Sequence, residues 1–105
     1  MEALVNERRI TDRAPIDLFL NKYIDGYPYL CRAKNLSWGG LLVETQVEPA
    51  HKREFFSLEI ELPGFAERLW LWTRPVWTRG RMQAHRIVGI DTRDESMLAQ
   101  YLALG

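Results

Sequence analysis

Cysteine is nearly absent from the sequence, and Cys31 alone cannot form an internal disulfide. This excludes the disulfide-framed secreted scaffolds among small proteins. No apolar run approaches the roughly eighteen residues that a membrane-spanning helix requires. The first residues are acidic and lack the apolar segment of a signal peptide, so we expect a cytoplasmic protein that does not insert into a membrane.

Groupings that carry catalysis or bind metals are missing as well. His51 and His85 have no cysteine, aspartate or glutamate at the spacing of a metal site. Cys31 lies in an expected strand, which favours a small buried side chain over a nucleophile. Because no serine, histidine and acid set and no glycine-rich phosphate loop is present, the sequence predicts no enzyme, no metal site and no resident cofactor.

Net charge is zero, because 14 basic residues balance 14 acidic ones. This balance disfavours a dedicated DNA-binding protein, whose domain is usually strongly basic. Lysine is scarce, and eleven of the basic residues are arginine. Arginine is preferred where a planar donor fork meets a phosphate or a guanine edge, although a biased genomic composition would give the same excess.

The charges are segregated along the chain. Residues 54–67 contain four glutamates and no lysine or arginine, whereas residues 74–86 contain four arginines and no acidic residue. One interpretation is that the two sets pair across neighbouring strands. The residues concerned are Glu54, Glu59, Glu61, Glu67, Arg74, Arg79, Arg81 and Arg86.

Alternating apolar and polar residues dominate the chain from residue 14 onward, which is typical of half-buried strands. Asp25–Gly26 predicts a hairpin between the first two strands, and Pro75 requires an edge position or a bulge in the fifth. The six expected strands lie at about residues 14–24, 27–36, 41–44, 56–62, 69–78 and 83–91. Apolar residues at helical spacing then predict one short amphipathic helix at the carboxyl end.

This pattern predicts an all-β domain with small helical content, a six-stranded antiparallel β-barrel with one C-terminal α-helix. The barrel domain is assigned to residues 14–105. Residues 1–13 carry six charges and few apolar side chains, so we expect them to form a mobile N-terminal arm.

Two short motifs stand out within this organisation. Arg9 and Arg13 form an Arg-x-x-x-Arg motif in the arm. Asn35, Ser37 and Gly40 form an Asn-x-Ser-x-x-Gly motif at a turn between two strands. Each motif alone has an ordinary explanation, as a solvated charged tail and as a tight turn.

In this order, the two motifs resemble those of the PilZ domain family, bacterial receptors for the second messenger cyclic di-GMP. The resemblance extends over residues 13–15, 35–43, 74–77 and 88–91 and the final helix, and so covers nearly the whole chain. It implies a non-enzymatic receptor that binds cyclic di-GMP and passes the signal to a separate, unidentified effector protein. Outputs in the family include motility, exopolysaccharide production and biofilm formation.

The resemblance also implies the ligand residues. They are Arg9, Arg13, Asn35, Ser37 and Gly40, with Trp77 near the site on the barrel surface. Arg8 stands before the first motif arginine, a position where the family associates arginine with binding of a stacked pair of ligand molecules. The chemistry is consistent, because an arginine fork can meet phosphate oxygens or the O6 and N7 atoms of guanine.

Two alternatives stay open at this point. The same fold could serve as a scaffold or interaction module that needs no ligand. Trp70, Trp72 and Trp77 could also form a stacking platform for single-stranded nucleic acid, although we expect no nucleic-acid partner and favour core packing and a surface patch.

Overall fold

The computed structural model describes residues 14–104. They form six strands and one helix, named in chain order below. The elements are β1 (Ala14–Ile24), β2 (Tyr27–Leu36), β3 (Gly40–Thr45), β4 (Phe56–Ile60), β5 (Leu69–Arg79), β6 (Met82–Gly89) and α1 (Thr92–Leu104). Residues 1–13, the predicted arm, lie outside the described residues.

The strands close into an antiparallel barrel in the order β1-β2-β3-β6-β5-β4. The barrel closes between β1 and β4, where Leu20 pairs with Ile60 and Tyr23 pairs with Ser57. The predicted six-stranded antiparallel barrel with one C-terminal helix is therefore confirmed. Within residues 14–104, no helix has the length and apolar character needed to cross a membrane.

Local sequence determines where the strands turn and bend. Asp25 and Gly26 have φ values of 52° and 85°, the left-handed pair that a type I′ hairpin requires. The pairing of β5 with β6 shifts register between Pro75 and Trp77, since proline has no N–H to donate to the ladder. The predicted hairpin and the predicted irregularity at Pro75 are both present.

Alternating apolar residues from the strands fill the barrel interior, and Cys31 is buried among them as expected. Helix α1 adds Met97 and Leu98 to this core. The Asp94 carboxylate of the same helix accepts a hydrogen bond of 3.0 Å from the backbone N–H of Trp70. The helix therefore packs against the barrel where β5 begins.

The alternation of β1 also places a charged side chain inside the barrel, that of Lys22, which is 0% exposed. Its ammonium group donates hydrogen bonds to Glu48 Oε1 at 3.2 Å and to Gln83 Oε1 at 3.0 Å. It also lies 4.3 Å from the centroid of the Phe56 ring. Because Glu48 belongs to the segment between β3 and β4, this ion pair holds that segment against the barrel interior.

Glu48→Ala should lower the free energy of unfolding by about 3 kcal/mol, because it leaves a buried ammonium without its carboxylate. Glu54→Ala is the matched control, since Glu54 is exposed on the same segment and has no ion pair with another residue of the range 14–104. The control should change stability by less than about 0.5 kcal/mol. Equal unfolding midpoints in urea for the two variants would contradict the anchoring role of Glu48.

Candidate functional site

The turn between β2 and β3 is held by two hydrogen bonds to one carbonyl oxygen. The backbone N–H of Ser37 donates to the Gly40 carbonyl at 2.9 Å, and the Ser37 hydroxyl donates to the same oxygen at 3.1 Å. Ser37 is only 3% exposed. The Ser37 side chain therefore stabilises the turn, and its hydroxyl group already donates a hydrogen bond within the protein.

Gly40 is buried where β3 passes close to β6. A Cβ atom at this position would approach the His85 carbonyl carbon to 3.2 Å and its oxygen more closely still, which no real side chain tolerates. The φ angle of Gly40 lies outside the left-handed region. The requirement for glycine at this position therefore comes from the close approach of the β6 backbone and not from a positive φ.

Asn35 lies beside an irregularity in the pairing of β2 with β3, where the register shifts between Ala33 and Asn35. Its Oδ1 atom accepts a hydrogen bond of 3.0 Å from the backbone N–H of Leu42. The side chain is half-buried and alternates with the fully buried Leu36. Asn35 therefore lies on the outer surface of the barrel, anchored to β3 through its amide oxygen.

Strand register connects Asn35 to Trp77. Asn35 pairs with Leu42, Leu42 pairs with Ala84, and Ala84 pairs with Trp77, so the four residues form one row across β2, β3, β6 and β5. With strands about 4.8 Å apart, the row extends ~14 Å around the barrel. Trp77 is 47% exposed at the end of this row. Sequence reasoning placed both residues at the site, and the fold brings them onto the same outer face.

The Trp77 ring also has a cationic neighbour. The Arg79 guanidinium carbon lies 5.6 Å from the ring centroid, a cation–π arrangement. The outer face thus combines the Trp77 ring and the Asn35 side-chain amide, with Leu42 and Ala84 between them. Such a surface suits a planar ring with hydrogen-bonding edges.

Two arginines that are not part of the motifs lie next to this row. Arg86 pairs with Gly40 across β3 and β6, and Arg74 pairs with Arg86 across β5 and β6. Trp38, 38% exposed at the tip of the turn, was also missed. The signal that could have found the arginines is the acid-free stretch of residues 74–86.

The interpretation of that stretch as one half of a cross-strand charge pairing is wrong for the residues described. Glu59 pairs with Arg68 at 3.3 Å, and Glu67 pairs with Arg93. Within residues 14–104, no ion pair involves the four arginines of the stretch, which are Arg74, Arg79, Arg81 and Arg86. These four arginines therefore have no carboxylate partner within 4 Å among the described residues.

Arg8, Arg9 and Arg13 lie outside the described residues, so their placement stays a prediction. The chain enters the described structure at Ala14, whose backbone pairs with Leu36 at the end of β2. The turn with Ser37 and Gly40 follows directly after Leu36.

The remaining tryptophans lie nearer the start of β5 and pack against other aromatic side chains. Trp72 stacks on Phe55 at 5.9 Å, and Trp70 packs against Tyr23 at 5.5 Å. Between these pairs lies a cleft of about 390 Å³ with Ser57 among its lining residues, on the outer side of β1, β4 and β5. The three tryptophans of the proposed stacking platform all lie on the outer side of β5, with Arg74 between Trp72 and Trp77.

The interior side of β6 carries His85, the partner of Gly40 through its backbone. Burial lowers the pKa of His85 to about 3, with a further contribution from the charge of Lys22. Its ring nitrogens lie 2.9 Å from Thr73 Oγ1 and 3.0 Å from Gln83 Oε1. His85 is thus a neutral structural residue at physiological pH.

Neither metal chemistry nor thiol chemistry finds support in the described part of the chain. Residues 14–104 contain no group of three or more His, Cys, Asp or Glu side chains that could hold a metal ion. Burial raises the pKa of the Cys31 thiol to about 12, which keeps it protonated.

The arrangement on the outer face suits binding of an anionic ring compound.

Comparisons with known proteins agree with this fold. Residues 7–104 match the family described as the PilZ domain. The PilZ domain of CeSA from a cellulose-synthesising bacterium has a TM-score of 0.66 at 18% identity, covering 90% of this chain and 98% of that one. The Bacillus subtilis inhibitor of motility, MotI/DgrA, has a TM-score of 0.64 at 19% identity. That comparison covers 88% of this chain but only 48% of MotI/DgrA. Comparison with curated proteins gives no match.

Gly40→Ala should lower the free energy of unfolding by about 2–3 kcal/mol, because the added methyl group forces the β3 and β6 backbones apart. Gly39→Ala is the matched control, since a Cβ atom there meets no atom within 4 Å. Thermal unfolding should place the control close to the wild type. A stable Gly40→Ala protein would show that the contact with β6 does not require glycine.

Proposed function

The chain belongs to the PilZ domain family, whose members are generally receptors for cyclic di-GMP, and on that premise we propose that it binds this second messenger. The proposed site is the outer face of β2, β3, β6 and β5, together with the arginines of residues 8–13. The protein is a binding module in this proposal and performs no catalysis. Its signal passes to a separate effector protein in the cytoplasm.

One observation supports the proposal: the register of β1 with β2 places Ala14, the residue that follows the first motif in the chain, next to the turn of the second motif. Ala14 pairs with Leu36, and the turn begins at the next residue. Arg13 directly precedes Ala14 in the chain, and on that ground we propose that it acts at this turn. Arg9 precedes Ala14 by five residues, a reach of at most about 17 Å.

The residue chemistry fits the two kinds of group in the ligand. A guanine presents O6 and N7 as paired acceptors, which an arginine fork meets with two hydrogen bonds. Phosphate oxygens accept charge-assisted hydrogen bonds from the same fork. We assign these contacts to Arg9 and Arg13, and assign Trp77 to the flank of the ligand on the barrel.

The turn residues contribute in different ways in this proposal. Asn35 faces the outer surface and contributes its side-chain amide at the ligand face. Ser37 and Gly40 preserve the turn, since their hydrogen bonds and close packing fix the backbone next to the ligand. The ligand contacts expected for these two residues then come from the backbone they position.

The output of the signal is assigned only from the family and from the names of two structural neighbours. One structural neighbour is named an inhibitor of motility, and the other comes from a bacterium that synthesises cellulose. We propose outputs of the same kind, in motility, exopolysaccharide production or biofilm formation. A ligand-independent scaffold is the second candidate function, whereas a nucleic-acid platform has less support because Trp70 and Trp72 pack against Tyr23 and Phe55 and the net charge is zero.

Calorimetric titration with cyclic di-GMP tests the receptor function. Wild-type protein should bind, and Arg9→Ala or Arg13→Ala should weaken binding roughly ten- to a hundredfold through loss of a charged fork. Arg53→Ala is the control, because Arg53 already pairs with Asp25 and is not part of the proposed site. No heat of binding with folded wild-type protein would favour the scaffold function, and wild-type affinity in either arginine variant would remove that residue from the site.

Arg8 should control the number of ligand molecules. A stacked pair of cyclic di-GMP molecules carries four phosphate charges, which are costly to bring together without cations among them. We expect two ligands per chain in the wild type and a shift towards one in Arg8→Leu. Arg8→Lys keeps the charge and removes the planar fork, so it separates the two contributions. Saturation of the wild type at one ligand, unchanged in Arg8→Leu, would leave Arg8 without a role in binding.

A further inference from the structure

Arg74 and Arg86 lie directly opposite each other on β5 and β6. Their neighbours Thr73 and His85 are buried inside the barrel, so both arginines point outward, and both are exposed. Like charges directly opposite on paired strands destabilise a sheet. The strand register thus places two positively charged side chains next to each other on the outer face.

Arg79 and Arg81 also make no ion pair within residues 14–104, but the other arginines of the barrel do. Each of four has a carboxylate partner within 4 Å, and the pairs are Arg32 with Asp17, Arg53 with Asp25, Arg68 with Glu59 and Arg93 with Glu67. Within residues 14–104, Arg86 makes no ion pair, and Arg74 has only a contact of 5.9 Å with the Phe55 ring. That contact lies on the β4 side, away from Arg86.

Position connects the pair to the candidate site. Arg86 pairs with Gly40, so Gly40, Arg86 and Arg74 form a second row next to the row of Asn35 and Trp77. Ala84, a small residue of the first row, is the neighbour of Arg86 on the outer side of β6. Arg74 and Arg86 therefore lie next to the row that contains Ala84 and Trp77.

We propose that Arg86 and Arg74 form a phosphate-binding subsite on the barrel, which takes a phosphodiester of the ligand. This subsite rests on the proposed function and adds barrel residues to the arginines of the arm. A phosphate between the two forks converts their repulsion into charge-assisted hydrogen bonds. In a stacked pair of ligands, four phosphate charges exceed the three arginines at positions 8, 9 and 13, and this subsite supplies the additional cations.

The test uses Arg86→Gln and Arg74→Gln in the full chain, with Arg53→Gln as the charge-matched control. Calorimetry should show cyclic di-GMP affinity reduced about tenfold in Arg86→Gln, by a smaller factor in Arg74→Gln, and unchanged in the control. Without ligand, Arg86→Gln should melt at or above the wild-type temperature, because the repulsion is removed. A merely structural role would lower that temperature.

Inorganic phosphate is the second probe, compared with sodium chloride at equal ionic strength. Phosphate should raise the melting temperature of the wild type more than that of the Arg74→Gln/Arg86→Gln double variant. Wild-type binding of cyclic di-GMP with unchanged affinity in both single variants would overturn the subsite and leave the receptor function standing. No binding of cyclic di-GMP, with phosphate protection that still depends on the two arginines, would overturn the receptor function and support the subsite.

Discussion

The close approach of Gly40 to the carbonyl of His85 is the contact on which the geometry of the candidate site depends. It joins β3 to β6, two strands that are distant in the chain, and thereby sets their register. That register places Leu42 opposite Ala84 and Gly40 opposite Arg86. Since a register shift of one residue would turn every outward side chain inward, the whole outer face depends on this contact.

Strand β6 connects the outer face to the interior. Its inward side chains, Gln83 and His85, belong to a buried polar network with Thr73 and Lys22. Its outward side chains include Ala84 and Arg86. A barrel with such a network inside tolerates little sliding of β6, because each displaced group would lose a hydrogen bond in a medium where lost bonds are costly.

The sequence was sufficient for the strands, the Asp25–Gly26 hairpin and the irregularity at Pro75, because these depend on local patterns. It was not sufficient for pairings between distant strands. The burial of Lys22 and the facing of Arg74 with Arg86 both require the register of β6 with its neighbours. Likewise, the need for glycine at position 40 comes from a backbone 45 residues away in the chain.

The most direct test of the outer face as the ligand site is nuclear magnetic resonance mapping with cyclic di-GMP. We expect the largest chemical-shift changes at the backbone amides of Asn35, Gly40 and Arg86 and at the indole N–H of Trp77. Ring-current effects of stacked guanines should make these changes large. Changes centred instead on Phe55 and Trp72, in the cleft beside β4 and the start of β5, would contradict the account.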